Sequence, residues 1–480
     1  MTTRLMTTAA AIGSLALLVC TAARAEDAAS VFARFKAATG GAHWDGVRTL
    51  HETGALGAGG LTGTFEAAQD ARNGRSSSSF KIGPVDGASG FDGQVSWNRS
   101  PGGEVAVLDD ASAIRNARSQ AWLDAQGYWK PQTLPATFGK VESRTLEAKT
   151  YNVVIATPAG GNPLTLWFAS DSGLLARTQQ PQDGYVVTTT LDDYRAVDGV
   201  RLPFHSAIDQ TDAAGRTDPR SHQDIRYSHV ELNAPIVDAA FAPPKMAATA
   251  HIDDPSGITH VPFDLLNNHI YVDGFVDGKP ARFMVDTGGT NLLTPAAAAK
   301  LGLAALGKMA ASGAGETSVD LAIARAKQVR VGAATLDSPV FYVIDLGNLP
   351  QIEGAPLDGL VGYEMFRRFG VQIDYAKHEL TLSEPKAFAP PAGATVLPFT
   401  LNGSIPMIAG SLDGLPVKLS VDTGSRESLT MSSPFVKAHD LIAKYRAAPE
   451  AVMGWGLGGA SNGRPARLGT LQLGGLAVDG

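Results

Sequence analysis

Two carboxylates stand at matched places in the chain. Residues 283 to 294 read FMVDTGGTNLLT and residues 419 to 430 read LSVDTGSRESLT, so Asp286 and Asp422 each close an apolar strand and lead into Thr-Gly. The copies lie 136 positions apart. The same shift carries Val261-Pro262-Phe263 onto Leu397-Pro398-Phe399, Asp277-Gly278 onto Asp413-Gly414, and Leu293-Thr294 onto Leu429-Thr430. Ungapped register of this extent marks duplication of one unit. A lone Asp-Thr-Gly is a weak signal, since an isolated Asp at a turn is ordinarily a turn or capping residue. Two copies in one register point to a pair. Carboxylates brought within about 3 Å cannot both ionise, so they share a proton, and one then acts as base while the other acts as acid.

The elements around each copy are suited to hold a carboxylate in place. A hairpin comes first, turning at VDGKP or LDGLP, and its return strand (ARFMVD, VKLSVD) is apolar up to the aspartate. Gly288 and Gly424 allow a closeness of approach that a side chain would forbid. Beyond the first copy, SGAGETSVDLAIARAKQVRVGAATLDSPVFYVIDL reads as a hairpin followed by two strands, with Gly313, Ala314 and Gly315 at its tip. LDGLVGYEMFRRFGVQIDYAKHELTLS then gives an apolar strand to Gly362, a short helix from about Tyr363 to Phe369, and a hairpin turning at YAKHE.

This order, from VPF through NNHIYV, VDGKP, FMVDTGGT and LDGLVGYEMFRRF to IDY and LTL, resembles bacterial aspartic proteases of the retropepsin-like type. The resemblance covers Val261 to Leu382 fully and Val396 to Gly480 in part. It implies that Asp286 and Asp422 hold a water between them, one taking its proton while the other donates to the scissile carbonyl, with no metal or cofactor. Thr287 and Thr423 would bond across the lobe interface, and Gly288, Gly424 and Ser425 would support the pair. A flap at Gly313, Ala314, Gly315 and Glu316, with GWGLGG (454–459) as its counterpart, would close over a peptide bound as an added strand. Two departures stand out. Gly289 offers no hydroxyl where Ser425 does, which leaves Thr290 or a water for the outer bond to Asp286. Arg426, four residues past Asp422, would depress a needed pKa if it formed an ion pair, although such a residue is more usually solvated. Single-lobe relatives form the pair between two chains, and the sequence leaves that variant open.

The start of the chain has a basic Arg4, an apolar run from about Ala9 to Val19, and Ala23-Arg24-Ala25 as a cleavage site, which together read as a secretory signal. A periplasmic or secreted location follows as an expectation. The sole cysteine, Cys20, lies inside that segment, so thiol catalysis is excluded from the processed chain. Val19 is bulkier than the small residue that lipid attachment at Cys20 prefers. Net charge is −7, and −9 once Arg4 and Arg24 are removed (Lys+Arg 40, Asp+Glu 47 overall), which gives no electrostatic footprint for nucleic acid. No later stretch is long enough for a membrane span.

Residues 26 to about 250 alternate in β fashion between turns: TLHETGAL, GTFEAAQDA, SSSFKIG, QVSWN, YNVVIAT, LTLWFAS, YVVTTTLDDY and DIRYSHVEL. Helices are read at about Asp27 to Thr39 and Ala111 to Gln126. The order, with GFDGQVSWN, LWFASDSGLLARTQ, DDYRAVDGVRLPF and VELNAPIVDAAFAPP, resembles the outer-membrane lipoprotein carrier (LolA-like) half-barrel. That likeness implies a concave face for a lipid or acyl ligand; Trp97, Trp167 and Phe168 filling the sheet's own core is the other reading.

The fold class expected is therefore mainly β: an N-terminal antiparallel half-barrel with helices, followed by two retropepsin-like β-barrel lobes, the second incomplete. The divisions are a signal peptide at 1–25, the LolA-like sheet at 26–250, a first lobe at 251–390 and a second, truncated lobe at 391–480, with a linker at 246–257 (MAATAHIDDPSG). Truncation is expected because 73 residues separate Asp286 from Gly359, and the same distance past Asp422 runs beyond Gly480. The function expected is an aspartic endopeptidase acting on a peptide or protein. The alternative is a non-catalytic envelope protein that binds lipid or lipoprotein, its protease-like lobes serving only for contact. HExxH, G-x-S-x-G and P-loop motifs are absent, and His51, His205, His222, His229 and His260 lack metal-ligand spacing.

Overall fold

The computed structural model describes residues 27–480 except 183, 247–248, 312, 314–316 and 403. The leader read at 1–25, with Cys20, and the tip residues Ala314, Gly315 and Glu316 therefore lie outside the described residues. The chain is mostly β, with antiparallel sheets and few helices.

Residues 49–232 build one fourteen-stranded antiparallel sheet, a meander whose two halves join where Thr49–Ala58 pairs with Gln223–Leu232. Helices Ala28–Ala38 and Ala111–Asp124 start at Asp27 and Asp110, whose carboxylates accept backbone N–H groups of the first turn. Val31, Phe32 and Phe35 of one helix and Trp122 of the other enter a core with Val154, Leu164, Leu166 and Phe168. Trp97, Trp167 and Phe168 are all buried: Phe168 joins that core, the Trp97 indole donates to the Phe241 carbonyl at 2.8 Å, and the Trp167 indole donates to Gln179 at 3.0 Å. The stretches read as β in the sequence do not include strand Val85–Phe91, which carries Gly87 and Gly90. An added Cβ at either would lie 2.6 Å from the Phe80 or Trp97 ring, so the glycines make room for neighbouring aromatics.

The next sheets belong to the first repeat. Eleven strands between Ala250 and Val361 form one sheet, and Ile258–Pro262, Gly370–Asp374 and Glu379–Ser383 form a second. Val261, Leu380 and Leu382 of the smaller sheet meet Ile270, Val272, Phe283, Val285 and Phe341 of the larger in the largest apolar cluster among the described residues. The core thus lies between two sheets, and no closed barrel is detected among the described residues. The linker reading also needs correction: Ala250–Ile252 is an edge strand paired with Ala334–Asp337, a long-range pairing that local composition does not reveal.

The second repeat gives five strands from Phe399 to Asp479 and a separate hairpin, Ala451–Gly456 with Gly459–Gly463. Among its described apolar residues, only Leu412 and Leu441 are buried. No helix among the described residues is long and apolar enough to cross a membrane.

The N-terminal sheet also grips the first repeat. Arg368 donates to Glu104 at 2.6 Å, to the Gly102 carbonyl and to Thr249, while Arg325 reaches the Pro84 and Pro101 carbonyls. Ile82 and Val85 pack on Ile323 and Val340, and Arg220 pairs with Asp320 and Ser318. The hairpin Leu306–Ala311/Val319–Arg325 is therefore braced at its base by the preceding sheet.

Candidate active site

The first acidic turn begins where strand Lys279–Val285 ends against a parallel neighbour, Gly359–Val361, with Phe283 opposite Gly359. Apolar burial on both sides suits Val285 and Val361 to this position, both wholly buried. The Asp286 amide donates to the Val361 carbonyl at 3.0 Å, and the chain then turns so that Leu292–Leu293 returns antiparallel to the same strand. The loop is pinned by the buried Asn291, whose side-chain oxygen accepts from the Gly362 amide. Its own amide donates to the Glu364 carboxylate at 3.0 Å. Burial pushes that Glu364 carboxyl up to about 7.

In each turn the glycine amide returns to the aspartate: Gly288 N donates to Asp286 Oδ1 and Gly424 N to Asp422 Oδ1, both at 2.8 Å. The turns face one another. Thr287 N donates to Thr423 Oγ1 at 3.0 Å, and Thr423 N donates to Thr287 Oγ1 at 2.9 Å. Each hydroxyl then donates to the strand carrying the other turn, Thr287 to Val421 O and Thr423 to Val285 O, both at 2.8 Å. Four reciprocal bonds across 136 positions of sequence give the arrangement its near two-fold symmetry.

The glycines decide how close the carboxylates come. A Cβ at Gly424 would lie 2.5 Å from Asp286 Cγ, and one at Gly288 would lie 2.6 Å from Asp422 Cγ, so each carboxylate sits over the glycine of the opposite turn. Burial, and then the charge of Asp422 beside it, raises the Asp286 carboxyl to about 6. Asp286 is half-buried and Asp422 more open to solvent. A carboxyl that keeps its proton in mildly acidic water, next to a second carboxylate, is equipped for coupled acid–base chemistry.

The departures noted in the sequence find their places. Gly289 lacks a hydroxyl and has no room for one, since a Cβ there would stand 2.6 Å from Asp286 Oδ2. Among the described residues Ser425 offers only its amide, to the Asp422 carbonyl at 3.4 Å, and no ion pair joins Arg426 to Asp422. At the mouth of the site, Gly313 lies against Leu457, and the Thr317 hydroxyl donates to the Gly458 carbonyl at 2.8 Å. The GWGLGG segment thus meets the base of the first hairpin tip. The sequence reading passes over His269 and Glu353, a buried pair at 2.9 Å beside the second turn. Its one available signal is a histidine at a hairpin tip where the second repeat has Ile405. Among the described residues no cluster of His, Cys, Asp or Glu is grouped to hold a metal ion.

Residues 272–365, which carry the first acidic turn, match the family described as aspartyl protease, and at that coarse level this part of the chain is of peptidase type. A retropepsin-like aspartic protease from Rickettsia conorii is 25% identical, over 27% of this chain and 90% of that one, with a TM-score of 0.20. A LolA superfamily protein from Nitrosomonas europaea is 14% identical over 45% of this chain and 98% of that one, TM-score 0.30. A putative outer membrane lipoprotein-sorting protein domain from Vibrio parahaemolyticus is 9% identical over 44% and 95%, TM-score 0.31. No curated protein matches the chain.

Proposed function

We propose that the protein is an aspartic endopeptidase in which Asp286 and Asp422 of one chain share a proton and activate a water against a peptide carbonyl. One carboxylate takes the water proton, the protonated partner gives its own to the carbonyl oxygen, and the gem-diol then collapses as the leaving nitrogen is protonated. The observation that carries this reading is the reciprocal Thr287/Thr423 bonding, which sets the spacing of the two turns. The substrate would lie extended beneath Gly313 to Glu316 and the 454–459 hairpin, held through its main chain. A leader read from the sequence at 1–25 would support a periplasmic or secreted location.

The test is single replacement, Asp286→Asn and Asp422→Asn, assayed on a peptide library from acid to neutral pH. Loss of cleavage in both supports the intramolecular pair. Loss in Asp286→Asn alone assigns the pair to two chains. No cleavage by the unaltered protein, together with copurified acyl chains, would favour the non-catalytic envelope-binding role.

A further inference from the structure

A second set of polar side chains touches the second acidic turn from outside the pair. The two-residue turn between Asp264–Leu266 and His269–Val276 is made by Asn267 and Asn268, both left-handed at φ 50° and 64°, which places three consecutive polar side chains at one tip. Asn267 Nδ2 donates to the Glu353 carbonyl at 3.0 Å, and Asn268 Nδ2 donates to the Arg426 carbonyl at 3.1 Å. His269 lies between them. Its Nδ1 is 2.9 Å from Glu353 Oε2 and its Nε2 is 3.0 Å from the Gly424 carbonyl, with the two side chains only 7% and 3% exposed.

Both ring nitrogens face acceptors, and that settles a proton count. A carbonyl oxygen has no proton to give, so the contact to Gly424 requires a proton on Nε2. A neutral ring protonated there turns a bare lone pair toward Glu353, and two acceptors at 2.9 Å do not bond. The pair must therefore hold one more proton than a neutral imidazole and a carboxylate, either as imidazolium with carboxylate or as imidazole with carboxylic acid. Both forms are uncharged overall, which suits a buried site. Losing the proton leaves Nδ1–H bonded to Glu353 and turns the Nε2 lone pair onto the Gly424 oxygen.

We infer that His269 is a positioning residue for the second acidic turn, and that the proton it holds with Glu353 keeps the Gly424 carbonyl, and so Asp422, in place. The catalytic consequence rests on the peptidase reading; the proton and the contact do not. The other groups near the pair are Tyr271, pushed up to about 12 by burial and then by the Glu353 charge, and Arg282, 5.5 Å from the Tyr271 ring centre. Neither supplies a proton to Nε2. The matched position in the second repeat is Ile405, whose side chain can form no such bond to the first turn.

The experiment uses the whole protein, imidazole nitrogen NMR and amide exchange. The His269 Nε2 resonance is expected to be that of a protonated nitrogen; a bare Nε2 overturns the inference. His269→Ala is expected to speed amide exchange at 422–426 about tenfold, and unchanged exchange there overturns it. Glu353→Gln supplies an N–H to Nδ1 without the extra proton, so exchange at 422–426 is expected to stay slow. Exchange in Glu353→Gln as fast as in His269→Ala overturns the proton count. None of these readouts needs turnover, so an inactive protein with a protonated Nε2 and a pinned turn refutes the peptidase reading alone.

Discussion

The Thr287 and Thr423 side chains exchange places: each hydroxyl accepts the amide hydrogen of the other residue, at 2.9 and 3.0 Å, and donates to the strand that bears the other turn. Thr287→Val removes one acceptor and one donor together, leaving the Thr423 amide and the Val421 carbonyl without partners at a cost of about 1–3 kcal/mol each. Thr287→Val and Thr423→Val are each expected to lower kcat/KM about tenfold or more, while Thr287→Ser retains most activity. Steady-state peptide cleavage is the measurement, and Val variants as active as Ser variants would contradict the role.

The cradle around each carboxylate leaves no room for a methyl group. Gly424→Ala would set a Cβ 2.5 Å from Asp286 Cγ, so the carboxylate or the turn must move. A displacement approaching 1 Å costs about a hundredfold in rate. Gly424→Ala should therefore abolish most turnover while far-ultraviolet circular dichroism stays unchanged. Near-normal kcat/KM in a folded Gly424→Ala protein would show that the carboxylates do not lie over the opposing glycines.

Burial first and Asp422 second hold the Asp286 carboxyl up to about 6. Catalysis that needs the shared proton is expected to decline as pH rises through about 6, read from kcat/KM against pH. Stability moves in the same direction. The native state keeps a proton that the unfolded chain releases near its ordinary value of about 4, so this contribution is full below about pH 4 and lost as pH rises through about 6. Glu364, Glu52 in the N-terminal sheet and Asp124 at the end of helix Ala111–Asp124 are each raised by burial to about 7 and add to the same trend. The melting temperature should fall between about pH 4 and 7, and less steeply in Asp286→Asn. A melting temperature that rises over that range refutes this.

Arg368 and Glu104, 7% and 8% exposed and 2.6 Å apart, join the N-terminal sheet to the short helix Tyr363–Phe366 and its following turn. Arg368→Ala leaves the Glu104 carboxylate buried without its partner, a loss of about 3–5 kcal/mol. Replacing both, Arg368→Met with Glu104→Leu, should recover most of it, because two apolar side chains of similar length need no compensation. Denaturant titration measures both. An unchanged midpoint in Arg368→Ala would mean that the sheet and the first repeat stand apart in solution.

Much of the local structure is legible in the sequence. Strands such as Lys149–Pro158 and Tyr185–Val197 alternate plainly, and both helices of the N-terminal sheet begin at an aspartate. The failures come from packing and pairing that local patterns do not show. Ala250–Ile252 looks like a linker until Ala334–Asp337 pairs with it. Val85–Phe91 is weakened as a strand pattern by Gly87 and Gly90, whose missing side chains leave room for the Phe80 and Trp97 rings.

By itself the sequence determined the repeat, the apolar strand that ends in each aspartate, and the small residues that follow, since turns and strand patterns are set by the conformational limits of neighbouring residues. Only the tertiary structure decided that the two threonines reach across, that Asp286 keeps its proton to about pH 6, and that His269 and Glu353 hold the second turn. Hydrogen bonds and carboxyl burial depend on distances between groups 84 to 155 residues apart, and no local pattern encodes those distances.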